Sequence, residues 1–169
     1  MFSSPRKKRK VEVVLPNETD VDKLLIATLA AGKDEAKKLL DLYGPVHVVT
    51  TPVKMTIHGS CLNAGKISAS AGAATYWGPN ARRKRSARAW GDQRSPRAEL
   101  LAAIFALESA ETYKSLEIST RSEYVIRSIT HGAAENDACG WRCPNGDLLK
   151  RILALIKARS APLHFCHLK

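Results

Sequence analysis

Thr56–Lys66 (TIHGSCLNAGK) is the stretch whose reading decides the fold. Just before and within it, Val53, Met55 and Ile57 alternate with Lys54, Thr56 and His58. That period of two marks a strand with one buried face. Gly59 follows, and a residue without Cβ lets the backbone approach a ligand closely. The expectation is a strand over 53–58 that runs into a glycine-containing turn.

Downstream, Ser68–Trp77 is rich in small residues and suits a close-packed strand. Gly78–Arg85 is a polar, basic, proline-containing loop, and Ser86–Trp90 returns as a third strand. Connections this short fit antiparallel hairpins. Arg97–Glu111 reads as a helix with Leu100, Leu101, Ile104, Phe105 and Leu107 on its apolar face and Pro96 in its first turn. A strand at Leu116–Thr120 precedes a helix over Ser122–Ala133, with Val125, Ile126 and Ile129 inward. Gly146–Arg159 is a further helix and Pro162–Leu168 a last strand. This order predicts an α/β fold: a mixed five-stranded sheet, partly antiparallel and partly parallel through right-handed crossovers, with helices on both faces.

Upstream, residues 19–43 read as two short helices. Thr19 caps the first and Gly32 stops it; Asp34 caps the second and Gly44-Pro45 ends it. A unit so small has little core of its own, which favours packing on the main domain over a partner-binding appendage. The expected division is a basic arm over 1–17, a short helical extension over 18–45 and the main domain over 46–169.

Composition excludes several classes. An apolar fraction of 44% is ordinary for a globular protein. No apolar run approaches the roughly 20 residues that span a bilayer, and no apolar segment follows the basic start as in a secretory signal. Four cysteines (Cys61, Cys139, Cys143, Cys166) are too few for a disulfide scaffold and read as reduced thiols of an intracellular protein. Cys139 and Cys143 lack the closely paired spacing of a structural zinc site. The net charge is +11, and two segments carry all of it: five basic and no acidic residues in 1–10, and seven basic residues against Asp92 in 82–97. Charge this concentrated points to a polyanion or to a receptor-read address.

Pro5–Val11 (PRKKRKV) resembles the nuclear import signal of large-T-antigen type, with Arg6, Lys7, Lys8, Arg9 and Lys10 as the basic run. An import receptor and a nuclear location are the expectation; a basic arm that binds phosphates nonspecifically is the alternative.

Five motifs then occur in one order: GSCLNAGK (59–66), RAELLAAIFALESA (97–110), LEISTRSEYVIRSIT (116–130), GWRCPNGDLLKRI (140–152) and LHFCHLK (163–169). Together they resemble the ribonuclease H family over about residues 53–169, most closely its fungal, retroelement-like branch. The resemblance implies an enzyme that cuts the RNA strand of an RNA–DNA hybrid with two divalent metals held roughly 3.5–4 Å apart by converging carboxylates. Glu99 stands at one of those carboxylate positions. His58 stands where the family has its first Asp, and Arg121 where it has Asp before the Ser of TRSEYV. The fourth carboxylate belongs to a closing C-terminal helix, which residues 46–169 lack.

A neutral imidazole is a poor Mg²⁺ ligand and a guanidinium repels the metal. The resemblance with these departures implies a catalytically inactive ribonuclease H-like domain that binds nucleic acid, hybrid or duplex, in the nucleus. No cofactor is expected, Mg²⁺ entering only if the domain is a nuclease after all. The candidate contacts are Ser60, Asn63, Arg82, Arg83, Lys84, Arg85, Arg88, Ser95, Arg121, Ser122 and Asn145. Glu99 and Arg121 are expected either to pair with each other or to leave Arg121 free for a phosphate. Two other readings stay open: a protein-interaction module whose docking surface is residues 18–45, and an active metal-dependent hybrid ribonuclease with an atypical site.

Overall fold

The computed structural model describes residues 20–79, 81 and 84–169. The basic run Arg6–Lys10, together with Arg82 and Arg83, lies outside the described residues. The chain divides into two units, Met1–Asp34 and Glu35–Lys169. The division falls inside α1 (Asp20–Tyr43), a single helix of 24 residues where two were expected. Gly32 does not stop it: nothing lies within 4 Å of that position, so the glycine is an ordinary, exposed helical residue. In the first unit Leu24, Leu25 and Leu29 are exposed; in the second, Leu42 is buried and the Tyr43 hydroxyl donates to Ile129 O at 2.5 Å. No helix among the described residues is long and apolar enough to cross a membrane.

The second unit is built on a five-stranded mixed sheet in the order β3-β2-β1-β4-β5. The strands are β1 (Val53–Leu62), β2 (Ser70–Tyr76), β3 (Arg85–Arg88), β4 (Leu116–Thr120) and β5 (Leu163–His167). β1–β2 and β2–β3 are antiparallel; β1–β4 and β4–β5 are parallel. Helices α2 (Ser95–Ser109), α3 (Glu123–Ile129), α4 (Ala133–Ala138) and α5 (Gly146–Lys157) follow the crossovers. The helix expected over 122–133 is two helices, because the chain turns at Thr130–Gly132 before α4 begins.

β1 runs past the expected turn. Gly59 pairs with Ala73 and Leu62 with Ser70, so the strand continues to Leu62 and the turn comes at Asn63–Lys66. Along β1 the inward residues Met55, Ile57 and Gly59 are buried, while Lys54, His58 and Ser60 are exposed. α2 lies on the buried face. It is apolar almost all round, with Ala98 through Leu107 buried except Glu99, as suits a helix covered on every side. Its alanines at 98, 102, 103 and 106 let neighbours come close. The opposite sheet face, through His58, Ser60, Gly72, Ala74, Ser86 and Arg88, is half-buried to exposed, and the helices expected to cover it are not among the described residues.

Candidate functional site

The parallel register sets Thr56 of β1 beside Ser119 of β4. Two residues further along the same direction stand His58 and Arg121. α2 brings Glu99 to the same end of the sheet through Gly59. A Cβ added at Gly59 would lie 2.3 Å from Glu99 N and 2.5 Å from Ala98 C. Glycine is required there for the close approach of α2, not of a ligand. His58, Glu99 and Arg121 thus stand on three elements that meet at this end of the sheet.

The Glu99 carboxylate accepts a hydrogen bond from Ser122 Oγ at 2.5 Å. Ser122 is buried, and the same oxygen accepts from Val125 N at 3.2 Å as the cap of α3. Glu99 is therefore fastened to the start of α3, and no ion pair joins it to Arg121 among the described residues. Arg121 is exposed and its carbonyl accepts from His167 Nε2 at 3.2 Å. His58 is exposed and makes no side-chain hydrogen bond among the described residues. Mg²⁺ requires several oxygen ligands in near-octahedral array. Of these three side chains Glu99 alone is a carboxylate, and no group of three or more His, Cys, Asp or Glu converges among the described residues. The donors do not fit a pair of divalent cations.

Beside this point lies a shallow groove of about 470 Å³ on the open sheet face. His58 and Ser60 of β1, Gly72 and Ala74 of β2, and Ser86 and Arg88 of β3 line it. A floor of small residues edged by hydroxyls, an imidazole and a guanidinium offers hydrogen bonds to an extended polar ligand. Asn63 is exposed in the β1–β2 turn, with φ at 53°. Arg88 donates Nε to Gln93 Oε1 at 3.3 Å. Gln93 also accepts from Ala71 N at 2.9 Å and donates to Ala89 O at 2.7 Å, so it holds the β3–α2 loop beneath Arg88.

Other candidates are already engaged. Arg85 bonds Glu108 at 2.7 Å, a carboxylate it shares with Arg151, and its guanidinium stacks 3.8 Å from the Phe105 ring centre. Lys84 sits 5.7 Å from the Tyr76 ring. Ser95 is half-buried at the start of α2. Asn145 has φ at 58°, donates to Tyr124 OH at 3.1 Å and accepts from Arg97 Nη1 at 3.4 Å.

Arg97, which the sequence reading passed over, organises that region. It is 9% exposed, donates Nε to Trp90 O at 2.6 Å, and grips Asp147 through Nη1 at 3.0 Å and Nη2 at 2.7 Å. The hydrogen bonds from Arg97 hold the Asp147 carboxyl below its ordinary value. An arginine inside an apolar helix is a signal of a buried partner, but nothing local points to an aspartate fifty positions away. Of the tryptophans, Trp141 is buried with Nε1 on Asp137 at 3.0 Å, Trp77 packs against the core, and Trp90 is 45% exposed.

Comparison with known proteins agrees with this architecture. No curated protein matches the chain. Among solved structures, a foamy viral protease-reverse transcriptase, determined in complex with dsDNA, aligns with a TM-score of 0.56 at 19% identity over 71% of this chain and 86% of that one. LC9-RNase H1, described as a type 1 RNase H with the type 2 active-site motif, aligns with a TM-score of 0.51 at 15% identity over 70% of this chain. The chain spans 64% of that second protein's length. At these identities both show the fold alone. The sequence model of the family RNase H matches residues 51–168, and with the five-stranded mixed sheet this places the chain in the ribonuclease H family.

Proposed function

We propose that this ribonuclease H domain binds nucleic acid without cutting it and works in the nucleus. One observation carries the reading: at the assembled site the sole carboxylate of the trio, Glu99, is fastened to Ser122, while His58 and Arg121 occupy the positions that would have to hold metal. Arg121, exposed and without an acidic partner among the described residues, is free to meet a phosphate. The groove beside it supplies Ser60, Ser86 and Arg88 for backbone and sugar contacts. Arg88 stands on the edge strand β3 with Lys84 just before it, and Arg6–Lys10 supply the import address.

The test is binding of a labelled RNA–DNA hybrid in Mg²⁺, with duplex DNA and duplex RNA as competitors and the recovered RNA run on a denaturing gel. Binding with intact RNA is the expected result, and Arg121→Ala and Arg88→Ala should each weaken it. Cut RNA would overturn the loss of chemistry; absence of binding at low salt would overturn the whole reading. The exposed leucines 24, 25 and 29 of α1 favour a second reading, a docking helix for a protein partner, which would then lead.

A further inference from the structure

The open face of the sheet carries more than the groove. On β2 the side chains of Ala71, Ala73 and Thr75 are buried, and Gly72, Ala74 and Tyr76 face the other way. β3 sorts its cations in the same rhythm. Arg85 turns to Glu108 and the Phe105 ring on the α2 side, while Ser86 and Arg88 line the groove. Lys84, one residue before β3, keeps that rhythm and places its Nζ 5.7 Å from the ring centre of Tyr76. Tyr76 stands beside Thr56 of β1 and is 42% exposed. On the β4 side Glu117 is bonded to Lys54 at 3.3 Å, so that carboxylate is already neutralised.

The result is a track with an aromatic ring and a cation at one end and a second cation, Arg88, at the other. Its floor is low: a Cβ added at Gly72 would meet only Ala87 O, at 3.9 Å. His58, Ser60 and Ser86 supply hydrogen-bonding groups along it. Tyr76 and Gly72 are four residues apart on β2, about 13 Å. At roughly 3.4 Å per stacked nucleotide, that is room for about four nucleotides. A single strand is held by a positive track for its phosphates and by aromatic rings for its bases, and both are on this face. A duplex stacks its bases on one another and closes their faces to Tyr76, so it can use the cations alone.

Resting on the nucleic-acid reading, we infer that the open sheet face takes an unpaired strand. One base stacks on Tyr76, and the phosphates run from Lys84 to Arg88.

Labelled oligothymidylate and oligouridylate are titrated with the full chain at low salt by fluorescence anisotropy, beside a blunt RNA–DNA hybrid of the same length. Tyr76→Ala should weaken the single strands at least about fivefold more than it weakens the hybrid. Tyr76→Phe, which keeps the ring, should bind the strands as the parent does. Tyr113→Ala removes a comparably exposed tyrosine beside a lysine in the loop between α2 and β4, and should change nothing. A strand carrying 5-iodouracil, irradiated in the complex, should crosslink at Tyr76. Binding of one strand type alone supports the assignment and identifies the strand as DNA or RNA. Equal loss on strands and hybrid, no loss on either, a Tyr76→Phe variant as weak as Tyr76→Ala, or a crosslink elsewhere overturns the single-strand assignment and leaves the nucleic-acid reading standing. If neither strand nor hybrid binds, both fall.

Discussion

Single residues decide what this site can do. Gly59 is there because α2 crosses β1 with its backbone in contact, and a methyl group would meet Glu99 N at 2.3 Å. Backbone cannot step aside as a flexible side chain can, so Gly59→Ala should cost about 3 kcal/mol or more. Thermal unfolding would register this as a fall in Tm of roughly 6–12 °C. The same contact fixes the Glu99 backbone against β1 at the residue after His58. Returning His58 and Arg121 together to Asp would rebuild three converging carboxylates, and that double variant should gain Mg²⁺ binding by calorimetry where the parent shows none. If the double variant takes up no Mg²⁺, the two replacements are not what keeps the metal out. His58, Glu99 and Arg121 could be singled out as candidates from the sequence because each sits in a short local motif at a strand or helix end. The partner of Glu99 could not, because Ser122 reads equally well as a helix cap, and it serves as one. Arg97 and Gln93 were hidden for a related reason: their partners are brought to them by tertiary packing.

At the scale of elements, hydrophobic period located the five described strands and the helices α2 and α5, while the ends followed tertiary contacts. β1 outruns its expected end because β2 continues to pair with it as far as Leu62–Ser70. α1 ignores Gly32 because a glycine in a helix costs only about 1 kcal/mol relative to alanine and stops nothing unless the chain leaves the helix there. Gly32→Ala should therefore raise helicity at 222 nm and slow amide exchange in residues 24–33. If neither changes, α1 does not run through position 32 in solution. The joint between α2 and α5 makes a different prediction. Arg97 holds the Asp147 carboxyl below its ordinary value, so the pair stabilises the fold above the pKa of the unfolded chain. That contribution disappears as pH falls through the lower, folded pKa. Asp147→Asn leaves Arg97 buried with a weaker acceptor, and should cost about 1–3 kcal/mol at neutral pH. The lower part of that range is expected, since the Asp147 side chain is 59% exposed. Urea unfolding across pH 2–7 should show the variant's disadvantage vanishing at the acid end; a disadvantage independent of pH would assign the cost to something other than the ion pair.

For the molecule as a whole, the excess of positive charge matters less than where it is free. The net charge of +11 lies in two segments, but the fold has already committed part of the second. Arg85 belongs to Glu108 and the Phe105 ring, and Arg97 to Asp147. Arg88 and Arg121 are exposed and form no ion pair among the described residues. Each cation that contacts a phosphate releases counterions, so it adds roughly one to the slope of log affinity against log salt. Arg88→Ala and Arg121→Ala should each lower that slope by about one on duplex or hybrid, and the double variant by about two. Arg85→Ala should leave the slope almost unchanged and instead lower Tm, because it removes a ring contact and strands part of a shared carboxylate. Binding isotherms from low to moderate salt on the three variants separate these effects. Equal slope losses for Arg85 and Arg88 would mean that the nucleic acid pulls Arg85 away from Glu108. An unchanged slope for Arg121 would mean that its guanidinium meets no phosphate.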